Sequence, residues 1–345
     1  MKKYLWLQFI ACTLMVVLGA APILASPTGS VVGSVKDPSG AVVPGVKLTL
    51  TSTATNAKLE AVSDANGAYQ FLNLAPAEYT LVAEGTGFKK YSLDRVTVQV
   101  DQITHLDIAL QVGAVSESVE VTAAVPLLES DKSTLSSVVD SRTISSMPLN
   151  ARQFLDLGLL TPGAMPAPPG TQGGGFNVAG ARSQSNIYLL DGVSNVDTQV
   201  NSALGNFRIT DGVQEFAVQT TGATAEFGRG TGGQVNIVTK SGTNQFHGSV
   251  FEYLRNSDFD AADFFTNRNR SLKNPLHRNQ YGTTFGGPIL KDRLFFFLNW
   301  EDFRQVNPTV SSTRVPTAAE RAAATDPISK RLLQFWPDPN ASVAG

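Results

Sequence analysis

From Glu226 to Arg255 the chain reads EFGRGTGGQVNIVTKSGTNQFHGSVFEYLR. A glycine-rich opening leads into the apolar run Gln234–Val238, and then into an aromatic, alternating segment, Phe246–Leu254. Alternation with period two puts successive side chains on opposite faces of a strand, so this stretch is written for sheet. The pattern returns twice. In Leu294–Glu301 one face carries Leu294, Phe296, Leu298 and Trp300, and the other carries Phe295, Phe297, Asn299 and Glu301. Gln280–Gly286 sets Tyr281, Thr283 and Phe285 against Gln280, Gly282, Thr284 and Gly286. Phe246–Leu254 is less regular, because Glu252 interrupts the set Phe246, Gly248, Val250 and Leu254.

Beyond the N-terminus no run of about 18 apolar residues occurs, so no helix is expected to cross a membrane, and any crossing must use strands. Roughly two dozen polar residues, Asn256–Asn279, separate the first two alternating segments, whereas a tight turn from Gly287-Pro288 to Lys291-Asp292 separates the next two. Outer-membrane barrels have long external loops and short periplasmic turns. A first strand running outward makes that order self-consistent. The residues alone leave two readings, a membrane barrel or a soluble three-stranded meander. A barrel must close to satisfy its backbone groups. Three strands cannot close one, and the chain ends about ninety residues after Arg255, so it is expected to be an N-terminal part of a longer barrel protein.

Lys2 and Lys3, an apolar stretch from Leu5 to about Ala21, and small residues near Ala25-Ser26 have the layout of a secretory signal, with cleavage expected after Ala25. The chain's single cysteine, Cys12, lies inside that signal, so the mature chain is expected to form no disulfide. A formal net charge of −2 with 16% charged residues leaves no electrostatic footprint for nucleic acid.

Residues 29–112 read as a small sandwich of about seven strands, with alternating segments such as Val46–Leu50, Tyr79–Ala83 and Val96–Val100 between turns. Gly67 suits a turn position with positive φ, and Tyr69 and Phe71 share one face and fill a core. Gly33–Asp37, Gly40, Pro44-Gly45-Val46, Asp64–Phe71, Leu74, Tyr79 and Gly87-Phe88 resemble the carboxypeptidase regulatory-like family, a transthyretin-like sandwich. The resemblance implies no peptidase activity. His105, His247 and His277 are scattered, and none pairs with a glutamate at zinc-ligand spacing.

Residues 113–242 change to mixed α and β. Asn150 is expected to cap a helix through Arg152–Leu157, and Ala164–Gly175 to form a loop. Asn177–Asn186, Leu189–Val193, Gln214-Glu215-Phe216 and Ala225–Arg229 resemble the plug of TonB-dependent outer-membrane receptors. The Oar-like group joins a carboxypeptidase regulatory-like domain to such a plug and a barrel. The resemblance implies a mainly β chain: signal (1–25), seven-stranded sandwich (29–112), linker and α+β plug (113–242), then the first strands of an incomplete transmembrane barrel (243–345). It also implies that Arg182, Asp191, Glu226 and Arg229 link plug to barrel interior; solvated loop charge is the alternative.

Glu117-Ser118-Val119-Glu120-Val121-Thr122 resembles a TonB box, an extended segment that pairs with an edge of the periplasmic energy-coupling protein. A plain linker strand is the other reading. Gly228, Gly230 and Gly233 match a dinucleotide fingerprint in spacing, but a strand-like run follows where that motif needs a helix. With no metal cluster and no nucleophile–base arrangement, neither a cofactor nor an enzyme is expected. The expected function is binding an external ligand (an oligosaccharide, peptide or metal chelate, contacted near Gly170–Gly175 and the outer loops) and gating its uptake through the outer membrane. This chain is not expected to transport alone. The alternative is a secreted or periplasmic carbohydrate- or protein-binding module. A regulatory subunit of an exported peptidase is a third reading, resting only on the family name.

Overall fold

The computed structural model describes residues 28–113, 118–121, 135–169, 171, 175–199, 201–203, 209–221, 230–270, 273–307 and 315–336. The chain divides into two compact units: one runs to Phe251 and resumes over Tyr281–Asp302, and the other comprises Glu252–Gln280 and the chain from Phe303. The fold is mainly β.

The sandwich is built from β1 (Gly29–Lys36), β2 (Lys47–Ser52), β3 (Lys58–Val62), β4 (Ala68–Leu74), β5 (Ala77–Glu84), β6 (Lys90–Val98), β7 (Ile103–His105) and β8 (Ile108–Ala109). One sheet runs β4-β1-β7, with β8 also on β1; the other runs β3-β2-β5-β6-β9, where β9 is Ser118–Val121. β7 and β8 pair with β1 in succession and both in parallel, so they act as one interrupted strand; counted so, the two sheets hold eight strands among the described residues, with β9 the one added to the expected seven. Strict alternation buries Val31 and Val35 of β1 against a core that includes Leu48, Leu50, Tyr69, Phe71 and Leu81. Each such side chain contributes about 1.5–3 kcal/mol by leaving water. The Tyr69 hydroxyl donates to the Leu106 carbonyl at 2.7 Å, which satisfies its one buried polar atom. Gly67 has φ +72° and sits where a Cβ would lie 2.8 Å from the Val35 carbonyl oxygen.

The next region starts with β10 (Leu135–Asp140) and helix α1 (Ser141–Ser146). Asp140 caps α1 by accepting from the Thr143 amide at 2.8 Å. Then come β11 (Ala164–Pro166), β12 (Phe176–Val178), β13 (Ile187–Leu190), β14 (Val193–Ser194), β15 (Val196–Asp197), β16 (Ser202–Ala203), β17 (Val213–Thr221) and β18 (Gln234–Thr239). The main sheet has the order β10-β17-β18-β13-β14, and its core includes Phe154, Phe176, Phe216, Val235 and Ile237.

Two expectations fail here. Asn150 caps no α-helix: the chain makes 3₁₀ turns at Asn150–Arg152 and Phe154–Leu160. The cause is local, since Ala151 and Arg152 both have positive φ, and the Arg152 guanidinium turns back onto the carbonyls of Ile144, Ser145 and Met147 at 3.0–3.2 Å. Those carbonyls belong to the end of α1, where a helix leaves acceptors unsatisfied. Nor is Ala164–Gly175 all loop, because β11 pairs antiparallel with β12.

Three long strands follow, β19 (His247–Asn256), β20 (His277–Leu290) and β21 (Leu294–Val306), in the order β19-β20-β21. The faces alternate as the sequence implies. Val250, Phe285, Leu298 and Trp300 are exposed, while Gln280, Gly282, Thr284 and Gly286 are buried.

In the second unit, short helices α2 (Phe264–Arg268), α3 (Ala318–Ala323) and α4 (Pro327–Leu333) are present. A capping box joins Thr317 and Glu320 at the start of α3. Helix α4 is capped by Asp326, whose side chain accepts from the Ser329 amide.

Candidate functional site

The sheet β10-β17-β18-β13-β14 has two different faces. Phe216, Val218, Val235 and Ile237 point into the main core. The opposite face presents cross-strand pairs Glu215 with Val238, Ala217 with Asn236, and Gln219 with Gln234. The end of the sandwich docks on this second face. Val100 packs with Ala217, Val238 and Val138, and its amide donates to the Glu215 carboxylate at 2.6 Å. Beside it Asn236 donates to the Asp101 carboxylate, and the Gln214 side-chain amide donates to the Pro76 carbonyl at 2.7 Å. Burial pushes the Glu215 carboxyl up to about 7; the Val100 amide opposes that rise, and the nearby Asp140 and Asp101 carboxylates add to it.

The same sheet touches the strands that follow it. Asp211, in the 3₁₀ turn Thr210–Gly212 leading into β17, accepts from the Ser249 hydroxyl of β19. Ser249 in turn lies 2.8 Å from the Thr284 hydroxyl of β20. Gly212 is packed so closely on Asn299 of β21 that a Cβ there would lie 2.8 Å from its amide nitrogen. Ser249, Thr284 and Asn299 are thus the polar lining of the three-stranded sheet. On the other face, Phe246, Phe285 and Phe296 form a ring cluster with centroids 5.5–6.4 Å apart, and Tyr281 lies 5.8 Å from Trp300. One face therefore bonds to the preceding domain, and the other offers aromatic surface to its surroundings.

A third contact fixes the short turn between β20 and β21. Asp292 accepts from the side-chain amides of Asn56 at 2.8 Å and Asn244 at 2.7 Å, and its own amide donates to the Asn244 side-chain oxygen at 2.8 Å. Asn244 also donates its backbone amide to the Ala54 carbonyl at 2.9 Å. The sandwich loop at residues 54–56 and this turn consequently share one end of the strands.

The expected site residues are distributed unevenly over these contacts. Asp191 works inside the sheet: its two carboxylate oxygens accept from the amide and hydroxyl of Thr239 at 2.9 and 2.8 Å. Arg182 opens the 3₁₀ turn Ser183–Ser185, where its carbonyl accepts from the Ser185 amide at 2.9 Å. Glu226 and Arg229 lie outside the described residues, as do Glu117 and Thr122. Ser118, Val119, Glu120 and Val121 form β9, paired parallel with Lys90–Leu93 of β6. Gly233 passes so close to Val178 that a Cβ would meet its side chain at 2.7 Å, and it leads straight into β18, the strand context that removes the dinucleotide reading.

The contacts that do form, Asp211 with Ser249, Gly212 with Asn299 and Glu215 with Val100, were not singled out from sequence. Period two already placed Asn299 on the polar face of its strand. On the sandwich, Ser34, His105 and Asp107 meet in a groove lined also by Lys36, Asp64 and Gln70. The Ser34 hydroxyl donates to Asp107 at 2.7 Å, and His105 stands 3.4 Å from the same carboxylate oxygen. The Ser34 hydroxyl thus directs its proton at a carboxylate, whereas an activated nucleophile hands its proton to a neighbouring base such as an imidazole.

A family model described as an outer membrane beta barrel domain matches residues 238–345, and one described as a carboxypeptidase regulatory-like domain matches residues 30–111. The TonB-dependent transporter Oar of Myxococcus xanthus is 32% identical over 297 residues, covering 81% of this chain and 27% of that protein. The chain therefore spans 27% of the length of this curated relative. Among solved structures, the siderophore receptor PirA from Acinetobacter baumannii aligns with a TM-score of 0.39 at 21% identity, over 51% of this chain and 25% of that one. The Bacillus anthracis TIE protein aligns with a TM-score of 0.23 at 14% identity, over 25% of this chain and 17% of that one.

Proposed function

The chain belongs to the TonB-dependent receptors of the outer membrane, in their Oar-like group, and from that membership we propose that the whole protein binds an external ligand and gates its uptake through a plugged barrel. One observation carries the reading. The plug sheet continues directly into three strands whose polar face bonds back to the plug at Ser249 and packs closely on it at Asn299, and whose other face is aromatic. That is the arrangement expected of a plug lying against a barrel wall. The Asp292 contact supports the sidedness, since it holds the short turn at the sandwich end, the end expected in the periplasm. We assign no enzymatic activity. The ligand class stays as broad as oligosaccharide, peptide or metal chelate.

The outward face of β21 tests the membrane part. Leu298→Arg puts a cation where the strand should meet lipid, at a cost of about 2–4 kcal/mol near the bilayer midplane. The amount recovered in the outer-membrane fraction should fall sharply, whereas Asn299→Ser on the plug-facing side should leave it near parent levels. A secreted or periplasmic binding module would tolerate Leu298→Arg, and equal outer-membrane recovery of both variants would reject the barrel reading.

The coupling segment is tested separately. We assign residues 117–122 to strand addition with the periplasmic energy-coupling protein, in which a backbone ladder supplies the affinity. Val121→Pro removes a ladder donor and fixes φ. Binding to the periplasmic domain of that protein, measured by calorimetry, should weaken at least about tenfold for one lost charge-neutral backbone bond and its neighbours. Unchanged binding would reject the assignment.

A further inference from the structure

The strand β9 is already paired. In the sheet order β3-β2-β5-β6-β9 it covers the free side of β6, with Lys90 opposite Ser118, Tyr91 opposite Val119, Ser92 opposite Glu120 and Leu93 opposite Val121. We propose that the free edge of β6 is a resting site for the coupling segment, so that an energy-coupling protein must displace the sandwich before it can pair with the segment on that side. This rests on the assignment of residues 117–122 made above, and it adds a competitor built into the same chain.

Three features support it. A strand edge is a row of unpaired backbone donors and acceptors, and each side of a strand satisfies one neighbour at a time. The pairing of β9 is parallel and only four residues long, whereas β5 and β6 pair antiparallel from Ala77 with Val98 to Ala83 with Tyr91. A short parallel ladder is the weaker kind, so β9 can leave without opening the sandwich. Finally, β6 ends at Val98, and Val100 and Asp101 just beyond it are the residues that bond to Glu215 and Asn236 of the plug. The resting strand thus lies on the one sandwich strand that leads directly into the plug contact.

Occupancy sets the size of the effect. If the segment is paired with β6 about ten times as often as it is free, the apparent affinity for an incoming strand falls about tenfold. The experiment is a double variant of the full chain, Ser92→Cys with Glu120→Cys. Neighbouring strands lie about 4.8 Å apart, within the Cα separation a disulfide spans. The only native cysteine is Cys12, in the expected signal, so the bond is free of competing thiols.

Mild oxidation should form the cross-link, seen as a mobility shift reversed by reductant. Binding to the periplasmic domain of the energy-coupling protein should be at least about tenfold weaker in the oxidised form and return to the level of Glu120→Cys alone on reduction. Failure of the cross-link to form would overturn the resting site. A cross-linked chain that binds as tightly as the reduced one would overturn the competition while leaving the coupling assignment standing. No binding in either redox state, with Glu120→Cys and parent equally silent, would overturn both, and in that case Val121→Pro would also change nothing.

Discussion

Glu215→Gln should make the protein more stable at pH 8 and leave it nearly unchanged at pH 5. Burial is the main reason that the folded carboxyl sits at about 7 instead of its ordinary 4.5. Between those two values the folded chain keeps a proton that the unfolded chain has lost, so stability is greatest below about 4.5 and falls as pH rises through about 7. At about 1.4 kcal/mol per pH unit, the parent should lose about 3 kcal/mol across that window. The glutamine cannot ionise and still offers an oxygen to the Val100 amide, so its profile should be flatter. Denaturant titrations from pH 5 to pH 8 read the difference, with hydrogen exchange at the Val100 amide as the local reporter. Parallel profiles for parent and variant would show that Glu215 ionises without penalty, and that the contact is wetter than its burial implies.

The other large effect lies in the plug core. Phe154 is fully buried, with its ring 5.6 Å from that of Phe216. Phe154→Ala should cost about 3–5 kcal/mol, because the side chain is fully enclosed by a core that includes Leu157, Phe176 and Phe216. Neighbouring Leu155 and Leu157 are also buried. Phe154→Leu keeps most of the volume and should lose less than half as much. A urea midpoint that drops with an unchanged slope is the expected signature. A loss below about 1 kcal/mol would mean that the segment repacks, contrary to a site this enclosed.

How legible this protein is in its sequence depends on the range of the interaction. Period two is local, so the faces of Gln280–Gly286 and Leu294–Glu301 could be read residue by residue: Gln280, Gly282, Thr284 and Gly286 are buried, and Leu294, Leu298 and Trp300 are exposed, with only Phe296 half-buried on that side. The turn glycine Gly67 is equally local and equally visible. The Asn150 region is where local reading failed. An N-cap residue and an apolar run favour a helix, but a buried arginine reaching back to α1 outweighs that preference by satisfying three carbonyls. β3 carries no core signal in the sequence, because most of its side chains are exposed at a sheet edge. The contacts of Asp211, Glu215 and Asp292 are invisible for a different reason. Their partners are 38, 115 and 236 residues away, and a polar residue in a loop or strand carries no mark of where its partner is.

That last separation bears on how the molecule assembles. The sandwich needs only residues up to about 113 to complete its core, so it can fold early during synthesis or export. Its bond to Asp292 waits for 236 more residues of chain after Asn56. When the β20–β21 turn arrives, it meets a finished surface carrying Asn56, with Asn244 beside it, and three side chains close the joint. The sandwich loop thereby holds the first short turn, so a contact made by the earliest-synthesised domain fixes one end of a hairpin that is synthesised last among the described strands.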